Sequence, residues 1–128
     1  NSNSHVLNCY TMGTVKGDGK YVGAVVGRNT KDYGKILQCY YRLGSATCNG
    51  AIRNATGTEK GSLVDGKEGT QTASFASQGS TLSRDCGFGT ENLMSALNNW
   101  VNANTQYGSS KWIIGTDGYP IPQGLPQK

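Results

Sequence analysis

His5-Val6-Leu7-Asn8-Cys9-Tyr10 returns thirty residues later as Lys35-Ile36-Leu37-Gln38-Cys39-Tyr40. Val6 and Ile36, Leu7 and Leu37, Cys9 and Cys39, and Tyr10 and Tyr40 match in type at one fixed offset. Between the copies lies Tyr21-Val22-Gly23-Ala24-Val25-Val26-Gly27, a β-prone run closed by glycines. Ala51-Ile52-Arg53-Asn54-Ala55-Thr56-Gly57 echoes it when Ile52 is aligned with Val22. The apolar markers Val6, Val22, Ile36 and Ile52 are spaced 16, 14 and 16, so the unit is a pair of short strands, repeated. The connectors Lys16-Gly17-Asp18-Gly19-Lys20 and Arg28-Asn29-Thr30-Lys31-Asp32 are longer and less equal than hairpin turns. They suit a coil whose turns stack in parallel roughly 4.8 Å apart, with Cys9 over Cys39 and Tyr10 over Tyr40. The expected fold is therefore all-β, a short right-handed parallel β-helix (β-solenoid) of about 30 residues per turn. Alternation permits either Leu7/Cys9 or Val6/Asn8/Tyr10 to face inward.

Composition agrees with a turn-rich β architecture. Apolar residues make up 35% of the 128 and charged residues 16%, and 19 Gly, 12 Thr, 11 Ser and 11 Asn take the remaining share. A globular chain ordinarily carries about 45–50% apolar and about 25% charged residues. Such a mixture excludes a helical bundle, while seven Tyr and two Trp with the Val/Ile clusters supply a core and exclude disorder. The net charge of +4 is scattered with no basic run, which argues against a nucleic-acid or membrane-surface partner. No apolar stretch approaches the ~20 residues of a membrane span. With no leader and no initiator Met, the chain reads as a mature secreted form or an excised fragment. The open N-terminal end of a stack makes it the expected C-terminal part of a longer chain.

Ser62-Leu63-Val64 and Ala73-Ser74-Phe75-Ala76 read as one further, degenerate turn. A helix signal follows: Thr90 as N-cap, Glu91 in the first turn, and Leu93, Leu97, Trp100 and Val101 on one stripe, with Asn98, Asn99 and Asn102 on other faces. Lys111-Trp112-Ile113-Ile114-Gly115 and Gly118-Tyr119-Pro120-Ile121 flank Thr116-Asp117, and Asp117-Gly118 is a hairpin signal. Pro120 and Pro122 restrict the second arm to an edge. The division is thus residues 1–89 as repeats and 90–128 as a C-terminal α-helix plus extended hairpin that cover the open end of the stack.

The stretch from Val6 to Ser45, with its Asn8-Cys9-Tyr10 strand, Gly13-Thr14-Val15 connector and Ala24-Val25-Val26-Gly27, resembles the GLUG-type repeats of bacterial surface proteins. Val stands where that family's last motif has Leu. The tail, a Leu/Ala/Leu/Asn/Trp helix before Lys111-Trp112 and Asp117-Gly118-Tyr119-Pro120, resembles the ends of such proteins from gut Bacteroidetes. The resemblance covers residues 5–57 and 90–122, while 58–89 match poorly. It implies a β-helix on an extracellular, adhesin-like protein, or a non-catalytic part of a secreted peptidase.

Residues that carry chemistry are sparse. His5 is the single histidine, which disfavours a Ser-His-Asp triad and a His-rich metal site. Cys9, Cys39, Cys48 and Cys86 contain no C-x-x-C pair, so zinc is not expected. Three pairings of four cysteines are possible, but Cys9 and Cys39 recur at a ladder position and suit small core-filling residues. Gly61-Ser62-Leu63-Val64-Asp65-Gly66-Lys67 has phosphate-loop spacing, yet Glu68 stands where Ser or Thr should ligate magnesium. Gly17-Asp18-Gly19 lacks the third glycine of a dinucleotide fingerprint. Thr56-Gly57-Thr58 and Thr70-Gln71-Thr72 are out of step with the repeat and form no ice-binding array. Asn54-Ala55-Thr56 is a glycosylation sequon of no expected consequence in a bacterial chain. The carboxylates Asp18, Asp32, Asp65, Asp85, Asp117, Glu59, Glu68 and Glu91 mostly sit in turn contexts, where capping is the usual role.

The expected function is a non-catalytic structural or adhesive module of a secreted or surface-anchored bacterial protein, without cofactor or metal. Its partner would be a glycan or an extracellular protein, bound through exposed turns carrying Tyr21, Tyr33, Tyr41 and Arg42. The alternative is a polysaccharide-active β-helix lyase or hydrolase, which needs two or three carboxylates converging on a groove.

Overall fold

The computed structural model describes residues 5–17, 23–25, 35–48, 51–52, 56–58, 61–63 and 70–124. Its strands are β1 (His5–Thr11), β2 (Val15–Gly17), β3 (Lys35–Arg42), β4 (Ala46–Cys48), β5 (Ala51–Ile52), β6 (Thr56–Thr58), β7 (Gly61–Leu63) and β8 (Thr70–Phe75). A helix, α1 (Leu93–Ala103), a 3₁₀ turn (Thr105–Tyr107), β9 (Trp112–Ile114) and β10 (Pro120–Pro122) follow. The central sheet is parallel, in the order β1-β3-β8. Its first pairing has the register read from the repeat: Val6 faces Ile36, Leu7 faces Leu37, Cys9 faces Cys39 and Tyr10 faces Tyr40. β2 and β4 also pair in parallel, now 31 residues apart, as Val15 with Ala46.

The expected β-helix is not what forms. The described strands make four small sheets, some parallel and some antiparallel, with one helix, and no sheet closes or winds into a coil. Two departures explain this. β5 folds back antiparallel on β4, with Cys48 opposite Ala51 and Thr47 opposite Ile52, instead of stacking as another rung. The two residues between them are Asn49-Gly50, the pair with the strongest preference for a reversing hairpin. β6 and β7 likewise pair antiparallel with each other, Thr58 opposite Gly61. The period also drifts, since Ile36 pairs with Thr70 but Cys39 with Thr72, with a register shift between Leu37 and Cys39. Val22, which anchored the second strand of the repeat, lies outside the described residues.

That shift has a backbone cause. Asn8 and Gln38, equivalent in the two copies, both have φ of +51°. Left-handed residues of this kind break a strand's alternation and mark bulges. Both faces of β3 are consequently covered. On one side Tyr40 joins Ala73, Phe75, Leu82, Cys86, Leu93, Ala96 and Leu97 in the main core, with Tyr10, Met12, Trp112 and Tyr119 packed against it. On the other side Tyr41 packs with Ala24 and Ala46. Burying side chains such as Phe75 and Leu97 contributes about 1.5–3 kcal/mol each.

The helix occurs where the apolar stripe placed it, and buries Leu93, Ala96, Leu97, Trp100 and Val101. Its N-cap is Asn92 rather than Thr90: the Asn92 side chain accepts from the Ser95 amide at 2.9 Å. Glu91 therefore precedes the helix, whose first turn holds no acidic residue. β9 and β10 form the expected hairpin, closed by Gly118 at φ +86° and by Asp117, which accepts from the Tyr119 amide. Among the described residues no helix is long and apolar enough to cross a membrane.

Candidate functional site

The C-terminal end of α1 controls where a groove opens beside Trp100. Asn104 ends the helix, its amide donating to the Val101 carbonyl and its Nδ2 to the Trp100 carbonyl at 3.0 Å. The chain then makes one 3₁₀ turn and leaves through Gly108, at φ +64°, a conformation glycine adopts without strain. Tyr107, seven residues after Trp100, is thereby laid on the indole, with ring centroids 5.5 Å apart and planes 23° from parallel. Trp100 is 6% exposed, whereas Tyr107 is 59% exposed. The helix supplies a third ring indirectly. Asn98 accepts from the Trp112 amide at 2.7 Å and donates Nδ2 to the Trp112 carbonyl at 2.9 Å, which fixes β9 against α1.

Between these rings and β1 lies a groove of about 430 Å³, lined by Leu7, Asn8, Trp100, Tyr107, Ser109, Ser110, Trp112 and Pro122. A hollow of about 270 Å³ adjoins it, sharing Leu7, Trp100 and Tyr107 and adding Leu37, Gln38, Phe88 and Asn104. None of these residues carries a charge. One wall has an unspent polar atom. Asn8 is 6% exposed and donates Nδ2 to the Leu97 carbonyl at 3.2 Å, but its Oδ1 accepts no hydrogen bond. Its counterpart Gln38 is committed, donating Nε2 to the Cys86 carbonyl at 3.0 Å and to Gln71. A third hollow, of about 240 Å³ beside Asn92 and Tyr119, falls below the ~300–1,000 Å³ range of small-molecule sites.

Of the four residues expected at the site, the structure places Tyr41 and Arg42. Tyr21 and Tyr33 lie outside the described residues. Tyr41 does not sit on an exposed turn: it is 2% exposed, in the core with Ala24 and Ala46, because the bulge at Gln38 leaves β3 covered on both faces. Arg42 is half-buried and donates Nε to the Met12 carbonyl at 3.1 Å, bracing the corner after β1. Asp85 accepts from the Gly87 and Gly89 amides, which hold its carboxyl below the usual range, and Asp117 caps its own turn. Asp18, Asp32, Asp65, Glu59 and Glu68 are outside the described residues. The groove aromatics were readable only in part: Trp100 and Trp112 stood out as core material, while the exposure of Tyr107 depends on how the chain leaves the helix.

No family model matches the chain, and neither a curated protein nor a solved structure matches it.

Proposed function

We propose that this chain is a non-catalytic recognition module that holds a neutral saccharide in the groove beside Trp100. The stacked Trp100–Tyr107 pair, one ring buried and the other open to solvent, is the observation that carries the reading. A buried indole that backs an exposed phenol presents a flat apolar face whose position is fixed before a ligand arrives, which reduces the entropy lost on binding. Pyranose rings have matching faces of C–H groups and a rim of hydroxyls. Around the rings the groove offers the hydroxyls of Ser109 and Ser110, groups suited to sugar hydroxyls. The uncharged lining favours neutral sugars over uronates, sulfates or phosphates, which need cationic partners. The resemblance of residues 5–57 to GLUG-type repeats supports reading it as an adhesive or display element outside a bacterial cell.

A glycan array of neutral and acidic oligosaccharides tests this, followed by calorimetry on wild type and Tyr107→Ala. Tyr107 is largely exposed, so its removal leaves the core intact. Binding of neutral glycans that weakens at least about tenfold in the variant, about 1.4 kcal/mol, is the expected result. An array with no binding, or binding indifferent to Tyr107, refutes the assignment.

A further inference from the structure

We infer that Cys9 and Cys39 form a thiol-oxidation site, in which Cys9 reacts with a low-molecular-weight disulfide and Cys39 resolves the product into a Cys9–Cys39 cross-link between β1 and β3. The two residues are direct register partners on adjacent parallel strands. Strands so paired lie about 4.8 Å apart, inside the ~4.4–6.8 Å range of Cα separations that a disulfide spans. The left-handed residues Asn8 and Gln38 precede them at the same level, so both cysteines leave the backbone in the same way. Each thiol reaches the carbonyl two residues before it, Cys9 to Leu7 at 3.0 Å and Cys39 to Leu37 at 3.4 Å. The sulfurs are also within hydrogen-bonding reach of each other.

Exposure divides the roles. Cys9 is open to solvent, whereas Cys39 is fully buried, so an external reagent meets Cys9 first. The longer contact to Leu37 is the weaker, and leaves the Cys39 proton able to turn toward the Cys9 sulfur. That hydrogen bond lowers the Cys9 thiol to about 7, against the opposing effect of burial, and raises Cys39. Cys9 is thus the thiolate and Cys39 the retained thiol. In the first step the Cys9 thiolate attacks one sulfur of the oxidant, forming a mixed disulfide and expelling a thiolate. Cys9 then carries no charge, so the main force holding the proton on Cys39 is gone. Cys39 attacks the Cys9 sulfur and expels the second thiolate, and the Cys39 proton passes to that leaving group as it departs. Two protein thiols become one disulfide, two electrons pass to the oxidant, and the oxidant leaves as two thiols.

Trypsin separates all four cysteines, placing Cys9 in 1–16, Cys39 in 36–42, Cys48 in 43–53 and Cys86 in 85–111. The test treats the purified chain with oxidised glutathione and maps non-reduced peptides by mass spectrometry. The expected product joins 1–16 to 36–42 and carries no glutathione. In Cys39→Ala, Cys9 should stop at the glutathione adduct, and its alkylation near pH 7 should slow about tenfold as the thiol returns toward its ordinary value. In Cys9→Ala, a change at an exposed position, Cys39 should stay reduced. Three results overturn the proposal: a Cys9 adduct that persists in the wild type, Cys39 joined to Cys86 or Cys48, or Cys39 oxidised as fast without Cys9.

Discussion

Tyr10 and Tyr40 occupy equivalent positions in the two copies and pair across the sheet, yet removing their hydroxyls should change stability in opposite directions. The Tyr10 hydroxyl donates to the carbonyl of Pro120, tying the first strand to the last. Its loss removes a hydrogen bond worth about 0.5–1.5 kcal/mol net and strips a buried residue's carbonyl of its partner, so Tyr10→Phe should destabilise by about 1–2 kcal/mol. The Tyr40 side chain is fully buried, and its hydroxyl has no hydrogen-bond partner. A buried hydroxyl left unpaired costs about 1–3 kcal/mol of desolvation. Tyr40→Phe keeps the ring among Phe75, Leu97 and Ala73 while deleting that group, and should stabilise by about 1 kcal/mol. Urea unfolding of wild type, both single variants and the double variant measures this. The two midpoints should move apart while the slope stays constant, because the exposed area hardly changes. A Tyr40→Phe midpoint below that of wild type would mean that the hydroxyl is satisfied and that the packing argument around it is wrong.

The same groups predict an alkaline limb. Burial raises both tyrosines above their ordinary value, so the stability they contribute is complete below about pH 10 and is lost as pH rises through the folded values. A pH series of unfolding midpoints should show this decline in wild type and a shallower one in the double Phe variant. At Asn8, Ala and Gly both lose the bond to Leu97, but only Gly takes φ of +51° without penalty, so Asn8→Gly should exceed Asn8→Ala in stability by about 1–2 kcal/mol on denaturation. Asn98→Ala removes both bonds to Trp112 and should cost about 2 kcal/mol, with faster amide exchange in the β9–β10 hairpin. Asn92→Ala should cost about 1 kcal/mol as a lost N-cap, read by the same unfolding curves.

The thirty-residue offset was legible because parallel in-register pairing sets like beside like, and similar shapes fill successive levels of one core. The helix was legible because Leu93, Leu97, Trp100 and Val101 recur at helical spacing. One good repeat does not make a continuous coil, since propagation depends on the connectors as much as on the strands. β5 pairs antiparallel with β4 across the sequence Asn49-Gly50, and nothing in the strand pattern of 5–42 reports on that pairing. Period-two reasoning also could not place Tyr41, because the left-handed backbone at Gln38 interrupts the alternation on which it relies. The groove was hidden for a further reason. It is assembled from β1, the end of α1 and β9, which lie about ninety residues apart, and its key exposure is that of Tyr107, set by a helix end and a glycine.

The repeat places the same residue types in two unequal environments, and this inequality gives the first copy its reactivity. β3 lies between β1 and β8, and there the Gln38 amide donates to Gln71 and to the Cys86 carbonyl while Cys39 is sealed from solvent. β1 stands at the edge of that sheet. Its Asn8 keeps an acceptor unspent at the groove wall and its Cys9 keeps a thiol in water. A buried amide acceptor without a partner costs stability, whereas the Gln38 amide of the core copy donates two hydrogen bonds at the same level of the ladder. The edge copy therefore differs from the core copy in what its packing leaves over: a buried amide oxygen with no hydrogen-bond partner, and a thiol in water beside its buried twin.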